Sequence, residues 1–488
     1  MDNLSVKKRV KLIYPPSPLF QRGEDRCQAN IDSSSASSVR ACNDLGYAAS
    51  VLRQAGYDVL IKDYQTELLS IQDVLKDFEK EQIDVLFVSV TNATIHDDLK
   101  FVNSIKDKFP NLIIILKSAI FFDVQLDVLK QLDLRSVDYL IGGEVEFIIA
   151  DLLNSHFHNQ DYLCNISGIL YKKGGVWIKN NFANVWCDDL DSLPFPARDL
   201  MNNALYVRPD TGEVQATISI SRGCPSSCIY CLTPIISGKK LRLRNPQSIL
   251  DELTECYEKY GIKNFFFKAD TFTFNKDWTI QLCDLIINSK LYNKIQWVAN
   301  SRVNPIDFET LSCMKKAGCW LVAFGFESGS QKSLDLMKKG TTIEQNIMAM
   351  KLAKKAGLKV FGFYIIGFPW ETIEDLKKTK ELIFKNNADF IEVHLATPYY
   401  GTQLHQMAFN DGFTQHEVFG NDYFEAPCIP TKSLSIEKIQ EYRKSILLSF
   451  YLRPSYIIKK CFSALKNPTV IKNYWVYGIK LIKNCLKK

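Results

Sequence analysis

Short apolar runs alternate with amphipathic stretches over the first third of the chain. The runs VKLIY at 10–14, VLFVSV at 85–90 and LIIILK at 112–117 have the length of buried strands. Stretches between them, such as NDLGYAASVLRQ at 43–54, carry apolar residues at helical spacing. Five strand–helix units of this kind between residues 7 and 160 predict a doubly wound parallel sheet with helices on both faces.

A second, separate series of units follows. Residues 161–209 contain a candidate hairpin turning at Gly174 and Gly175, then the proline-rich linker LDSLPFPARDL at 190–200. Six further strand–helix units fill residues 210–430 and predict a partial (β/α)6 barrel, and residues 431–488 are helical in pattern. The predicted fold class is α/β, with an N-terminal doubly wound sheet (7–160), a hairpin and linker (161–209), a partial barrel (210–430) and a helical C-terminal region (431–488).

Composition limits the class of protein. The 488 residues are 46% apolar and 23% charged, which is ordinary for globular proteins, and their number suits two or three domains. The net charge is only +6, and residues 453–488 contain nine Lys or Arg and no acidic residue. The rest of the chain therefore has no basic surplus, and we expect no nucleic-acid partner.

The sequence predicts neither a signal peptide nor a membrane-spanning helix, since it contains no run of about 18 apolar residues and its first residues show no apolar segment followed by a cleavage site. We expect a cytoplasmic protein whose 14 cysteines are thiols or metal ligands. The basic C-terminal stretch mixes lysines with apolar and aromatic residues. This pattern is typical of a helix pair lying on anionic lipid, as peripheral contact with the inner face of the membrane, and equally of a basic helical cap packed on the barrel.

The sharpest chemical feature is the cysteine trio Cys224, Cys228 and Cys231, spaced C-x3-C-x2-C directly after the first barrel strand. Barrels keep their chemistry in the loops at the carboxyl ends of the strands. Structural zinc would need a fourth ligand nearby, and no His or Cys occurs between Cys231 and Cys256. The spacing therefore favours a [4Fe–4S] cluster with one iron left for a substrate chelate.

A C-x3-C-x2-C loop after the first strand of such a barrel resembles the radical SAM superfamily. The resemblance covers about 210–430 and implies that the cluster chelates S-adenosylmethionine (SAM) and cleaves it to a 5′-deoxyadenosyl radical. It also implies SAM-binding residues at the strand ends: Tyr230, Asp270, Arg302, Glu327, Ser328, Ile365, Gly367 and Pro369. Taken singly, the two acidic residues could be helix caps and the arginine a surface ion pair.

The chain departs from the family pattern at two turns. Trp370 stands where the family usually has Gly, and Tyr400 where it usually has Pro. We expect both replacements to reshape the substrate pocket, so the substrate cannot be carried over from relatives. No catalytic residue beyond the cofactor ligands is predicted.

A doubly wound domain joined to such a barrel is similar to the cobalamin-binding radical SAM class. The resemblance implies corrin contacts at the strand ends of the first sheet, for which the candidates are Pro15, Ser89, Thr91, Gly142, Gly143 and Glu144. The D-x-H-x-x-G signature of an axial histidine is missing, and His96 is interpreted as a loop or helix-start residue. No second cysteine trio is evident, which argues against a methylthiotransferase.

Three hypotheses about function follow. The first is a cobalamin-dependent methyltransferase acting on an unactivated carbon of a small-molecule or lipid substrate, since the barrel also resembles radical SAM proteins of hopanoid and related lipid pathways. The second is a radical SAM cyclase, oxidase or rearrangement enzyme without methyl transfer. The third is a non-enzymatic iron–sulfur or corrinoid sensor. For both enzymes we expect an electron donor such as flavodoxin or ferredoxin.

Overall fold

The structure is a computed structural model. It describes residues 7–22, 31, 39–183, 185–414, 419–420, 429–464 and 468–486. Seven strands form the first sheet, in the order β2-β1-β3-β4-β5-β6-β7. They are β1 (Arg9–Tyr14), β2 (Asp58–Asp63), β3 (Val85–Ser89), β4 (Ile113–Lys117), β5 (Tyr139–Ile141), β6 (Ile169–Lys173) and β7 (Val176–Lys179). Strands β1 to β5 are parallel, and the β6–β7 hairpin extends the sheet antiparallel to β5.

Helices cover both faces of this sheet, as the periodicity predicts. They are α1 (Asn43–Gln54), α2 (Ile71–Lys80), α3 (Ile95–Lys108), α4 (Leu126–Leu129) and α5 (Ile149–His158). Alternate strand residues belong to two separate cores: Leu12 packs with α1 and α5 on one face, and Ile13 packs with α2 and α3 on the other. The order of β2, β1 and β3 makes the space between β1 and β3 the topological switch point, where ligands of such sheets bind.

Six parallel strands form the second sheet, in the order β8-β11-β12-β13-β14-β15. They are β8 (Gln215–Ser219), β11 (Asn264–Lys268), β12 (Gln296–Ser301), β13 (Cys319–Glu327), β14 (Lys359–Ile366) and β15 (Phe390–Leu395). Between β8 and β11, a two-stranded antiparallel ladder joins β9 (Ser221–Arg222) to β10 (Arg242–Leu243).

Three short helices lie after strand ends: α6 (Thr233–Ile236) between β9 and β10, α10 (Gln331–Leu336) after β13 and α13 (Gln403–Asn410) after β15. The longer crossover helices pack on one face of the second sheet. They are α7 (Pro246–Tyr260), α8 (Lys276–Asn288), α9 (Phe308–Lys316), α11 (Ile343–Lys355) and α12 (Ile373–Asn386). On β15, Ile391, Val393 and Leu395 belong to the core under these helices. Because strand side chains alternate, Glu392 and His394 lie on the opposite face, which we call the inner face.

The N-terminal domain and the linker protect the open edge of the second sheet. Strand β8 is an edge strand, and the carbonyl oxygen of Thr217 accepts hydrogen bonds from Asn43 Nδ2 at 2.6 Å and from Arg198 Nη2 at 2.9 Å. Arg198 also forms a buried ion pair with Glu252 of α7 at 2.7 Å. The linker is therefore packed between the two sheets.

Three helices complete the chain: α14 (Ile436–Tyr451), α15 (Pro454–Ala464) and α16 (Pro468–Leu486). Tyr451 Oη donates to the carbonyl oxygen of Ile391 at 2.6 Å, which fixes α14 against β15. Among the described residues, we find no helix that combines the length and the apolar character needed to cross a bilayer. The α/β fold class, with two parallel sheets and a helical C-terminal region, is confirmed.

Candidate functional site

The cysteine trio lies in a closed loop at the carboxyl end of β8. The β9–β10 ladder joins the two ends of this segment, residues 223–241, which we call the cysteine loop. Gly223 begins the loop with φ +82°, and a Cβ there would overlap the carbonyl oxygen of Lys240. Cys224 N donates to the carbonyl oxygen of Gly238 at 3.1 Å. Only glycine tolerates both this backbone conformation and this close approach.

The thiols of the trio are partly exposed, and no disulfide joins cysteines in the described part of the chain. The described residues also contain no group of three His, Cys, Asp or Glu side chains gathered tightly enough to hold a metal ion. The donor set nevertheless fits an iron–sulfur cluster, because three reduced thiols occupy one loop at a strand end. A cation lies beside them, since Arg302 Nη1 is 3.6 Å from the Sγ of Cys228.

The ends of β11 and β12 meet this loop. The Cys231 thiol donates to Thr233 Oγ1 at 3.3 Å, and that hydroxyl donates to Asp270 Oδ1 at 3.3 Å. Arg302 also donates to the carbonyl oxygen of Lys339. Burial opposes the positive charge of Arg302, but Cys228 outweighs that effect and raises the pKa of the guanidinium. Asp270 and Arg302 are therefore gathered at the cysteine loop.

Glu327 and Tyr230 lie next to each other at the end of β13. Glu327 Oε1 accepts from Lys339 Nζ at 2.6 Å, and both side chains are buried. Burial, and then the charge of Glu327, raise the pKa of Tyr230 well above its ordinary value. The Tyr230 ring packs edge-on against Phe368 at 5.7 Å between ring centres. The aromatic position before the third cysteine thus contacts the turn after β14.

A buried carboxylate organises the turn after β14. Glu371 Oε2 accepts from the backbone N–H groups of Gly367 at 2.8 Å and Phe368 at 3.1 Å, and Oε1 accepts from Ser333 Oγ at 2.9 Å. Burial raises the pKa of Glu371 to about 7. The carbonyl oxygen of Pro369 accepts from the backbone of Lys432 at 2.8 Å, so the segment before α14 closes on this turn.

Two other predicted SAM residues have protein neighbours. Ser328 is fully buried, and its hydroxyl lies 3.1 Å from that of Thr379 on α12 and accepts from the N–H of Ser330. Ile365 packs in a small apolar cluster with Tyr230, Phe368 and the start of α13. Their assignment to SAM stays a prediction.

Aromatic and polar side chains of β14 and β15 lie together on the inner face of the second sheet. On β14 and β15, the Phe363 and His394 rings are stacked 5.7 Å apart. Burial, and then the charge of Arg443, lower the pKa of His394 to about 4, so its imidazole is neutral at pH 7. Arg443 Nη2 lies 3.4 Å from Glu392 Oε1 on the same face. Aromatic and hydrogen-bonding groups are therefore both present on this face.

Three of the predicted corrin contacts lie at the switch point of the first sheet. Pro15 follows β1, and Ser89 Oγ, at the end of β3, donates to Asp44 Oδ2 at 2.9 Å. The Thr91 hydroxyl is buried and has no hydrogen-bond partner among the described residues. A buried hydroxyl without a partner is costly unless a ligand satisfies it, so this edge fits a bound cofactor.

The other three predicted contacts have protein neighbours. A Cβ on Gly142 would overlap the backbone of Phe121 and Phe122, and one on Gly143 would contact Ile148 and Val185. Glu144 forms a bidentate ion pair with Arg242, with distances of 2.6 Å and 2.8 Å. Their contact with a corrin stays a prediction, because packing already explains both glycines and the carboxylate.

The same ion pairs join the two domains at the cysteine loop. Arg222, two residues before Cys224, pairs with Glu146 and lies 3.5 Å from Glu144. On the other side of the loop, Trp186 Nε1 donates to the carbonyl oxygen of Ile236 at 2.8 Å. His96 lies in the first turn of α3, as interpreted from the sequence.

The sequence analysis did not identify six residues of the site whose contacts involve partners far away in the chain. These are Glu146, Arg222, Arg242, Lys339, Glu371 and His394. Only Arg222 and Glu371 had a local signal, since the first precedes the trio and the second follows the Gly367 turn. The other four carried no signal that a single sequence displays.

The fold and the loop define a class: an α/β protein with two sheets and a three-cysteine loop at the carboxyl end of a strand of the second sheet. The model of the radical SAM superfamily matches residues 218–383, which include the trio. A relative from Pyrococcus horikoshii, named an uncharacterized methyltransferase, is 31% identical over 86% of this chain and 89% of its own length. The chain belongs to the radical SAM superfamily.

More distant relatives share most of the chain. An anaerobic magnesium-protoporphyrin IX monomethyl ester cyclase of Cereibacter sphaeroides is 24% identical over 84% of this chain, which spans 66% of that protein. Among solved structures, the cobalamin-dependent SAM radical enzyme OxsB with aqua-cobalamin bound has a TM-score of 0.72 at 17% identity. The aligned region covers 98% of this chain and 72% of the OxsB chain. This likeness shows that the fold of both domains is shared.

Family membership confirms two predictions from the sequence. The protein is a radical SAM enzyme, and the superfamily's [4Fe–4S] cluster and SAM are its cofactors. The enzyme hypotheses therefore stand and the sensor hypothesis is set aside.

Proposed function

We propose that the protein is a cobalamin-dependent radical SAM methyltransferase acting on an unactivated carbon of a small-molecule or lipid substrate. The observation that carries this proposal is the junction between the domains. Arg222, directly before the cysteine loop, is held by Glu144 and Glu146, which follow β5 of the first sheet. Cofactors bound at these two neighbouring edges would face the same space.

In this proposal, Cys224, Cys228 and Cys231 hold the cluster as thiolates, and the cluster with SAM supplies a 5′-deoxyadenosyl radical. Arg302 stabilises the negative charge of the thiolates or of the SAM carboxylate. Tyr230, Asp270, Glu327, Ser328, Ile365, Gly367 and Pro369 surround SAM from the neighbouring strand ends. Glu371 fixes the turn that carries Gly367, so that its backbone is in place before SAM binds.

The corrin is proposed to lie at the switch point between β1 and β3, where it would supply the methyl group. Pro15, Ser89 and Thr91 line that edge, and the Thr91 hydroxyl is available to hydrogen-bond the cofactor. The printed names of two comparisons support the proposal, since one relative is called a methyltransferase and the OxsB structure contains aqua-cobalamin.

We further infer that the enzyme acts in the cytoplasm, receives electrons from a flavodoxin or ferredoxin, and contacts the membrane peripherally through its C-terminal helices. The lack of disulfides among the described cysteines supports a reducing compartment. The absence of a broad basic surplus outside residues 453–488 supports a small-molecule or lipid substrate rather than nucleic acid.

The test is anaerobic purification with cobalamin supplied, followed by iron, sulfide and cobalt analysis and turnover with SAM and dithionite. Four irons and one cobalt per chain, with S-adenosylhomocysteine accumulating beside 5′-deoxyadenosine, are expected. Protein that binds the cluster and cleaves SAM but retains no corrinoid after reconstitution would overturn the cobalamin part of the proposal.

The second candidate is a radical SAM cyclase, favoured by the relative named a monomethyl ester cyclase. The two candidates differ in one product. A methyltransferase forms S-adenosylhomocysteine in step with its methylated product, whereas a cyclase forms 5′-deoxyadenosine without it. Mass spectrometry of the SAM-derived products distinguishes them.

A further inference from the structure

The two C-terminal helices each have one face fixed to the body of the protein. On α15, Tyr456 Oη donates to the carbonyl oxygen of Asp389 at 2.9 Å, and Lys460 Nζ lies 3.6 Å above the ring of Phe390. On α16, Asn473 Nδ2 donates to the carbonyl oxygen of Asp210 at 3.0 Å, and Tyr474 packs edge-on against Phe390. These helices are therefore positioned elements of the fold.

Their other faces are apolar and exposed. On α16, Ile471, Trp475 and Ile479 recur every fourth residue, so they fall within an arc of about 80°. Trp475 is 73% exposed, and Phe462 on α15 is 70% exposed. We call this set the tail face; its members are Ile457, Ile458, Phe462, Ile471, Trp475, Val476 and Ile479. Packing of these helices on the barrel as a basic cap explains their fixed faces. It does not explain why the apolar side chains of the tail face are exposed.

The C-terminal helices themselves carry charge of one sign, although Lys459 of α15 is paired with Asp389 of the barrel at 3.2 Å. Residues 453–488 contain nine Lys or Arg and no acidic residue. Lys459, Lys472 and Lys483 are exposed on the same helices. A second copy of this chain docked through the same face would bring the same positive charge against it, whereas an anionic bilayer complements both its charge and its apolar side chains. Tryptophan and lysine together are typical of the membrane–water interface.

We propose that the tail face docks on an anionic lipid bilayer. This inference rests on the peripheral membrane contact of the proposed function and adds the surface and its orientation. Phe390 and Asp389 lie at the amino end of β15, and Asp210 precedes β8. Helices α15 and α16 therefore cover the amino edge of the second sheet and turn the tail face outward, while the cysteine loop lies at the carboxyl edge, about 20 Å away along six-residue strands.

The orientation has a functional consequence. With its amino edge toward the lipid, the enzyme presents the cysteine loop away from the bilayer. The substrate then enters the site from the aqueous side, even when it carries an apolar group. Vesicles should accordingly bind the protein without blocking SAM cleavage.

The experiment measures flotation of the full-length holoprotein with vesicles of phosphatidylcholine, alone or with 30% phosphatidylglycerol. We expect at least tenfold more binding to the anionic vesicles and a loss of at least tenfold for Trp475→Ser. The matched control is Met348→Ser, because Met348 is also an exposed apolar residue but lies on α11. Lys472→Gln with Lys483→Gln should weaken binding severalfold, whereas Lys351→Gln should not.

Three results would overturn the docking proposal. One is equal binding to neutral and anionic vesicles, and another is unchanged binding of Trp475→Ser. The third is a native dimer in sedimentation velocity that Trp475→Ser converts to a monomer, with no vesicle binding by either. SAM cleavage measured on the same preparations separates this outcome from failure of the proposed catalytic function, since none of these variants lies in the cysteine loop.

Discussion

The ion pair between Glu144 and Arg242 provides the sharpest test of the domain junction. Both side chains are buried, at 6% and 2% exposure, and two hydrogen bonds of 2.6 Å and 2.8 Å join them. Replacing Glu144 with Ala leaves a buried guanidinium without its carboxylate. Breaking a buried pair in this way costs about 3–5 kcal/mol.

The remaining contacts of Arg242 decide where in that range the loss of unfolding free energy should lie. The carbonyl oxygens of Cys187 at 2.7 Å and Ser237 at 2.8 Å still accept from its guanidinium, so we expect about 3 kcal/mol. Replacing both residues, with Glu144→Leu and Arg242→Met, removes the uncompensated charge. The double variant should therefore be more stable than Glu144→Ala alone.

The assay is urea unfolding followed by circular dichroism and tryptophan fluorescence, with cobalamin affinity measured in parallel. Lys240→Ala is the matched control, because its 2.9 Å ion pair with Asp188 is exposed and should contribute less than about 1 kcal/mol. Equal shifts for Glu144→Ala and Lys240→Ala would refute the reasoning. So would a Glu144→Ala variant of native stability that loses cobalamin affinity, since that result would make Glu144 a corrin contact.

Three further predictions concern the cysteine loop and the turn after β14. Replacing any one cysteine of the trio with Ala should abolish the cluster absorbance and SAM cleavage, whereas Cys461→Ala, on α15, should retain both; cleavage without a complete trio would end the ligand assignment. Gly223→Ala should lower iron occupancy after reconstitution, because it adds a clash with Lys240 to a conformational cost of about 1–2 kcal/mol. Gly212 has a similar φ but open space around it, so Gly212→Ala introduces the conformational cost without a clash. An equal loss of iron occupancy in the two variants would contradict the steric argument. Since burial raises the pKa of Glu371 from 4.5 to about 7, the stability linked to this carboxyl is complete below about pH 4.5 and is lost as the pH rises through 7. Glu371→Gln should remove about 3 kcal/mol of the pH dependence of the unfolding free energy. If the unfolding free energies of the native protein and the variant changed in parallel between pH 4.5 and 8, the prediction would be wrong.

Local patterns in the sequence determined the elements and their class. The short apolar runs and the helical spacing of apolar residues between them predicted the strands and crossover helices of both sheets, because burial of side chains is a local requirement on the sequence. The cysteine trio was equally visible, since its three members lie within eight residues of each other. Its position after β8 followed from the chain order alone.

The tertiary structure decided which groups meet. Glu144 and Arg242 are 98 residues apart, and Glu327 meets Lys339 only because the loop before α11 folds back over β13. The basic C-terminal stretch allowed two interpretations, and the packing of Tyr474 on Phe390 shows which helix face is fixed and leaves Trp475 exposed. A single sequence records each side chain's polarity but not its partner, because partners are chosen by how the two sheets and the C-terminal helices pack.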